Sequence, residues 1–146
     1  MAAKRQLAAQ KNNNMTPTRI QRLRAKGAKQ PANTKYCGRP SAWGNPFVVN
    51  KLEANYYRIS VNTNRGGFFR NKCIDVLFSY GRTAGFSTKQ ESQAHAAYLF
   101  GRLLDLFPYD YDVRELAGYA HLSCFCAPGE PCHVDKIIEK INHEGN

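Results

Sequence analysis

The chain lacks a hydrophobic run long enough to cross a bilayer, which takes roughly 18 to 20 apolar residues. It also lacks a secretion signal, because Lys4 and Arg5 are followed by a polar stretch rather than an apolar one. Its five cysteines are an odd number without such a signal, so reduced thiols are expected rather than disulfides. We therefore expect a cytoplasmic protein with no membrane partner, whose thiols are available for chemistry or for a metal.

Acidic residues are missing from the first third of the chain. Residues 1–52 hold eleven Lys and Arg and no Asp or Glu, whereas residues 53–146 hold ten Lys and Arg against eleven Asp and Glu. The formal charge of +10 thus resides in the N-terminal segment. A segment of one sign attracts phosphates and releases counterions on binding, so it predicts a nucleotide or a nucleic acid as partner. The alternative is that these charges only keep the surface solvated.

Length and composition indicate one domain. The 146 residues are 42% hydrophobic and 12% aromatic, which is enough for one core and too much for a disordered chain. Patterns typical of strands alternate with patterns typical of helices, which predicts the α/β class, with a mixed or mostly parallel sheet flanked by helices. Residues 1–15 are polar and are predicted to form a mobile basic tail, an N-terminal extension ahead of a domain at residues 16–146.

Local patterns predict the individual elements. Thr88 and Glu91 form a capping box, which predicts a helix that ends before Pro108. Residues 68–80 fit a strand or a helix equally well. Further helices are predicted within residues 16–26 and 132–142, and strands at residues 34–37, 47–49, 56–61 and 119–126.

A loop rich in glycine and proline follows the strand predicted at residues 34–37. Arg39 offers a guanidinium for phosphate, Trp43 a surface on which a base stacks, and Asn45 a paired donor and acceptor. Because ligands of α/β sheets bind at the carboxyl ends of strands, this loop predicts a nucleotide site. The alternative is that Trp43 fills the core and the loop is structural. The predicted ligand-binding residues are Arg19, Arg22, Arg39, Ser41, Trp43 and Asn45.

A second cluster has the spacing C-x-C-x5-C-H. Cys124 and Cys126 lie two apart on a predicted strand and point to one face, while Cys132 and His133 open the following helix. Zinc needs four such ligands, and these four are the candidates. Against this interpretation, the side chains of the adjacent residues Cys132 and His133 diverge by about 100° on a helix, whereas zinc ligands must converge.

Two other interpretations of this cluster remain open. The positive end of the helix lowers the pKa of Cys132 and favours a reactive thiolate, with His133 or His121 as the proton carrier and Asp135 as the orienting group. Alternatively, the cysteines are buried and purely structural. The predicted catalytic residues are therefore Cys132, His133, Asp135 and His121.

Two sets of motifs resemble domain-of-unknown-function family 4326. The first is R-I-Q-R at residues 19–22, G-R-P-S at 38–41 and W-G-N-P-F at 43–47. The second is E-L-A-G at residues 115–118, C-F-C at 124–126 and P-C-H at 131–133. The resemblance covers roughly 60 residues of the chain and makes residues 48–110 a candidate for an insertion atypical of the family. It implies an origin in bacteria or bacteriophages, with the host cytoplasm as the location of a viral protein, and it implies no reaction.

These observations predict a protein that binds a nucleotide or a nucleic acid, and that modifies or cleaves it if it is an enzyme. The hypothesis requires the G-R-P-S-x-W-G-N-P loop and the cysteine-histidine cluster to line one cavity. A different class of protein is the alternative, a non-enzymatic DNA-binding or inhibitory accessory protein that zinc stabilises. Zinc is the candidate cofactor: bound zinc favours the accessory protein, whereas a metal-free, reactive thiol favours the nucleotide site.

Overall fold

The computed structural model describes residues 16–144, so the tail predicted at residues 1–15 lies outside the described residues. The strands are β1 (Thr18–Gln21), β2 (Thr34–Tyr36), β3 (Phe47–Glu53), β4 (Tyr56–Val61), β5 (Ala84–Phe86) and β6 (His121–Cys124). The helices are α1 (Gly67–Ser79), α2 (Lys89–Leu106) and α3 (His133–Glu144), with a 3-10 turn at Val113–Leu116. The predicted single domain of the α/β class is confirmed.

The six strands form two sheets of three rather than one sheet. In the parallel sheet, β6 lies between β1 and β2, and both outer strands run parallel to it. The other sheet is an antiparallel meander of β3, β4 and β5. Gln21 pairs with Cys124, and Tyr36 pairs with Ser123. The chain therefore leaves all three parallel strands at the same edge of the sheet.

The helix predicted within residues 16–26 is wrong, because this segment holds β1. A helix would place Ile20 and Leu23 on one face, but in the structure Leu23 follows the strand and is 62% exposed. The strand pairs along its whole length with β6, and the backbone amide of Arg22 extends the pairing to the carbonyl of Cys124 at 2.7 Å. A helix of two or three turns is marginal by itself, so these bonds to a distant strand decide the conformation.

Other local predictions are confirmed. The side chain of Thr88 accepts the backbone N–H of Glu91 at 3.0 Å, as the capping box predicts, and α2 begins at the next residue. Residues 68–80 are helical and belong to α1, apart from the last. No helix within the described residues has the length and hydropathy that crossing a bilayer requires.

One cluster of buried side chains joins both sheets and the three helices. Residues 48–110 contribute to it throughout, for example through Ile59, Val76 and Phe100, so this segment is part of the domain core. Helix α2 packs against both β3 and α3. The antiparallel sheet is thereby held beside the edge at which the parallel strands end.

Candidate functional site

A cleft of about 790 Å³ opens at the carboxyl edge of the parallel sheet. We call it the edge cleft. Its walls are the loops that follow β2 and β6, the strands β3 and β4, and the first turns of α2. Arg39 and Asn45 of the first loop line it together with Cys132 and His133 of the second. Residues that are almost one hundred positions apart in the chain therefore face one space.

Among the charged side chains that line the edge cleft, positive ones predominate. One carboxylate also lines it, that of Glu130, and it accepts the backbone N–H of Ala127 at 2.7 Å. Within residues 16–144, none of the four cations forms an ion pair with a carboxylate. The concave shape concentrates their field and makes the edge cleft attractive to anions. These cations are Arg24, Arg39, Lys51 and Lys89.

Aromatic rings form one wall of the edge cleft. Tyr36 and Phe125 meet edge to face, with ring centroids 5.7 Å apart. The guanidinium carbon of Arg24 lies 3.9 Å from the centroid of Phe125. Tyr57 of β4 lines the same space. Sequence reasoning missed these rings, because nothing local distinguishes them from core aromatics.

Three cysteine sulfurs meet on the floor of the edge cleft. The Sγ atoms of Cys124, Cys126 and Cys132, the cysteine trio, all lie within 4.8 Å of one another. Cys124 ends β6 and Cys132 precedes α3, and their sulfurs are 3.0 Å apart. Both are buried, whereas Cys126 is half-buried. Three cysteines this close could hold a metal ion.

The three thiols of the trio differ in pKa. Hydrogen bonds with Cys124 and Cys126 lower the pKa of Cys132, with a further contribution from His133. Hydrogen bonds with Cys126 and Cys132, together with burial, raise the pKa of Cys124. Burial is the main cause that raises the pKa of the two cysteines outside the trio, Cys37 and Cys73, to about 12. Among the five thiols, Cys132 is the one whose pKa is lowered.

Alkylation should distinguish Cys132 from the two cysteines outside the trio. In the reduced, metal-free chain near neutral pH, we expect iodoacetamide to label Cys132 about tenfold faster than Cys37 or Cys73, because the thiolate is the reactive form. Peptide mapping by mass spectrometry over time measures the rates. The chain unfolded in urea is the control and should label all five sites alike. Equal labelling of Cys73 and Cys132 in the folded chain would contradict this assignment.

His133 lies beside the trio rather than in it. Its Nε2 donates to the carbonyl of Cys37 at 2.7 Å, because a carbonyl can only accept, and Nδ1 lies 3.8 Å from the sulfur of Cys132. Its ring stands edge-on to Phe100, with centroids 5.1 Å apart. Neither ring nitrogen comes within 4.8 Å of all three sulfurs. The set of close ligand atoms therefore consists of three of the four predicted zinc ligands, without His133.

Arg19 supports the second loop instead of facing a ligand. Its Nη1 donates to the carbonyl of Glu130 at 3.0 Å and its Nη2 to that of Ala127 at 3.4 Å, while Nε lies 3.4 Å from Asp135. Burial lowers the pKa of Arg19, but contacts with Cys132 and Asp135 outweigh this and raise it. Asp135, predicted to orient His133, pairs with Arg19 instead.

Two further predicted residues lie outside the edge cleft. The guanidinium carbon of Arg22 lies 4.7 Å from the ring centroid of Tyr36, so this side chain packs on that ring without lining the edge cleft. His121 begins β6, and its Nδ1 lies 2.7 Å from the hydroxyl oxygen of Thr18. Three strand residues, or about 10 Å, separate it from Cys124. His121 therefore lies apart from the cysteine trio and does not line the edge cleft.

The loop after β2 is largely held by its own side chains. Trp43 is only 7% exposed and packs against Tyr111 with centroids 5.4 Å apart, so its predicted role as a stacking surface is wrong. Ser41 donates to the carbonyl of Gly38 at 2.6 Å. Asn45 donates to the carbonyl of Ala96 at 3.1 Å and accepts the amide of Phe47 at 2.9 Å. The amide of Asn45 thus holds the loop in place.

Arg39 is the predicted residue of this loop that is both exposed and in the edge cleft. Its Nη1 donates to the carbonyl of Asn45 at 2.9 Å, and this bond holds one side of the guanidinium group against the loop. The other nitrogens have donors left for an anion. Arg39 therefore remains a candidate ligand for phosphate.

The chain belongs to the family described as Domain of unknown function (DUF4326), whose model matches residues 20–143. The match spans both loops of the edge cleft and the whole segment between them. Comparisons with curated proteins and with solved structures gave no match. The family description names no ligand or reaction, so the argument for function rests on the edge cleft.

Proposed function

We propose that this chain binds a nucleotide, free or as a unit of a single nucleic-acid strand, in the edge cleft. One observation carries the proposal: the edge cleft combines four cations with a wall of aromatic rings. Within the described residues, none of these cations pairs with a carboxylate. Its volume lies within the range of roughly 300 to 1,000 Å³ typical of small-molecule sites. A nucleotide is of matching size. It combines an anionic phosphate, which suits the cations, with a flat base, which suits the aromatic rings.

The cations suit the phosphate of such a ligand. Arg24 and Arg39 offer planar guanidinium groups that bind two phosphate oxygens at once, and Lys51 and Lys89 offer point charges from the opposite wall. The carboxyl edge of a parallel sheet is also where α/β folds bind their ligands. Charge and topology therefore support the same location.

The aromatic wall suits the base. Every nucleobase has a flat face, and stacking on an aromatic side chain contributes about 1–3 kcal/mol per base. Tyr36 and Phe125 replace the predicted Trp43 in this role, because they line the edge cleft and the indole does not. Stacking does not depend on the identity of the base, so the proposal covers several nucleotides.

Neutralising two cations of the edge cleft should weaken binding. For the double variant Lys51→Gln/Lys89→Gln, we expect affinity for a labelled single-stranded oligonucleotide to fall about tenfold or more. The slope of log affinity against log salt should become shallower by about 1 to 2, since fewer counterions are released. Fluorescence anisotropy across a salt titration measures both, and calorimetry with mononucleotides tests the free ligand.

The matched control is Arg58→Gln/Arg70→Gln, which removes two exposed cations outside the edge cleft. Arg58 follows Tyr57 on β4 and so points to the other face of the sheet. An equal loss in both double variants would show that only net charge matters. In the full chain, replacing Lys4, Arg5 and Lys11 by Gln measures the tail. Binding that depends on the tail alone would contradict the proposal.

A second candidate is the accessory protein whose fold a metal stabilises, and the cysteine trio favours it. In that case the cations of the N-terminal segment that lie outside the edge cleft would bind phosphates, and the edge cleft would have no ligand. The double variant in Lys51 and Lys89 should then bind as the control does. The same salt titration thus separates the two candidates.

A further inference from the structure

We propose that Cys124, Cys126 and Cys132 bind one Zn²⁺ ion through three sulfurs, and that its fourth coordination position faces the edge cleft. Water, or a donor atom of the ligand in the edge cleft, would fill that position. The three-sulfur site stands on its own geometry. The contact with a bound nucleotide rests on the proposed function.

The spacing of the sulfurs suits a tetrahedral ion. Zinc–sulfur bonds of about 2.3 Å place sulfurs about 3.8 Å apart. The trio lies within 4.8 Å, and the closest pair, Cys124 and Cys132, is 3.0 Å apart. Shifts of about 1 Å or less would thus open the site for zinc. Thiolate sulfurs also favour zinc over magnesium or calcium, which prefer oxygen.

The surroundings suit the charge of such a site. Three thiolates around Zn²⁺ carry a net charge of −1, which needs compensation when two of the cysteines are buried. Arg19 supplies positive charge beside the trio, because its Nη1 and Nη2 donate to the carbonyls of Glu130 and Ala127, in the loop between Cys126 and Cys132. Groups around the ligands of a metal fix their orientation and tune the metal. Arg19 is therefore a positioning residue for this site.

Within the described residues, no neighbouring side chain completes the site. Neither ring nitrogen of His133 comes within 4.8 Å of all three sulfurs, Asp135 pairs with Arg19, and Glu130 accepts the amide of Ala127. Structural zinc sites have four protein ligands, whereas sites with three exchange the fourth. All three cysteines line the edge cleft, so the fourth position opens toward it. The ligand set and its location thus favour an exchangeable zinc site.

Cobalt substitution tests the three-sulfur site in the full-length, reduced protein. We expect one equivalent of Co²⁺ to bind with a sulfur-to-cobalt charge-transfer band in the near ultraviolet, and Zn²⁺ to displace it. Replacing any one cysteine of the trio by alanine should weaken metal binding at least about 100-fold. Cys73→Ala, a buried cysteine outside the trio, is the matched control and should retain the band. A protein without the charge-transfer band would overturn the site.

Added imidazole tests the fourth position without any nucleotide. In the cobalt protein, we expect imidazole to shift the visible ligand-field bands, because it enters an exchangeable position. Unchanged bands would mean that the protein closes the site, and a changed spectrum in His133→Gln would identify His133 as the fourth ligand. Either result overturns the open position.

The proposed function can fail separately. A mononucleotide that binds by calorimetry and shifts the cobalt bands supports the contact between ligand and metal. If neither a mononucleotide nor the labelled oligonucleotide binds, in a protein whose bands respond to imidazole, the proposed function is removed and the metal site remains. A nucleotide that binds without shifting the bands overturns the contact alone.

Discussion

Replacing Trp43 by alanine is expected to lower the free energy of unfolding by about 3–5 kcal/mol. The indole is buried against Tyr111, whose ring also contacts Phe69 and Phe100 in the core cluster. Its removal leaves a cavity between groups that close packing holds in place. Urea denaturation followed by circular dichroism measures the change.

Nucleotide affinity provides the complementary measurement for Trp43. Because the indole does not line the edge cleft, the folded fraction of Trp43→Ala should bind as the unmodified chain does. Phe125→Ala is the matched control, since it removes an aromatic ring of the cleft wall and should weaken binding more than it affects stability. If Trp43→Ala does not fold, Trp43→Phe retains most of the volume and serves instead. A stable Trp43 variant that loses nucleotide binding would restore the stacking role.

Replacing Arg19 by methionine is expected to lower the free energy of unfolding by about 2–4 kcal/mol, since hydrogen bonds from charged donors contribute more than neutral ones. The carbonyls of Ala127 and Glu130 lose their donor, and the half-exposed Asp135 loses its partner. Methionine keeps the length of the stem, so the change isolates the guanidinium. The loop that carries the trio to α3 should loosen.

Arg22→Met is the matched control for Arg19→Met. It removes the same charge from the same segment, but the guanidinium of Arg22 only covers aromatic rings, so a loss within about 1 kcal/mol is expected. Chemical denaturation compares the two variants, and cobalt binding compares the trio in each. Equal stability, with nucleotide binding weakened in Arg19→Met alone, would show that Arg19 binds phosphate after all.

Elements that depend on neighbouring residues were predictable. The capping box at Thr88 and Glu91 locates the start of α2, because the hydrogen bond spans one turn. The alternation of side chains along residues 56–61 locates β4. The cysteine trio is close together because a strand end and a helix start follow one another closely in the chain. These features arise from spacing along the chain, which a sequence displays directly.

Features that depend on distant partners were not predictable. The local sequence of residues 18–21 does not favour a strand over a helix. Their backbone hydrogen bonds to β6 make them a strand. A tryptophan in a loop suits a binding surface or a core equally well, and the packing of Tyr111 decides between them. Lys51 and Lys89 join the edge cleft because the antiparallel sheet and α2 lie beside the parallel sheet.

The amino-acid sequence alone determined one α/β domain, an N-terminal excess of positive charge, and cysteines at a strand end and a helix start. Only the tertiary structure decided which of these groups share the edge cleft, and that Arg19 and Trp43 serve the fold. The physical reason is the distance along the chain over which each interaction acts. Backbone propensity and capping act over a few residues, whereas burial, strand pairing and the meeting of charges depend on segments that the chain brings together from far apart.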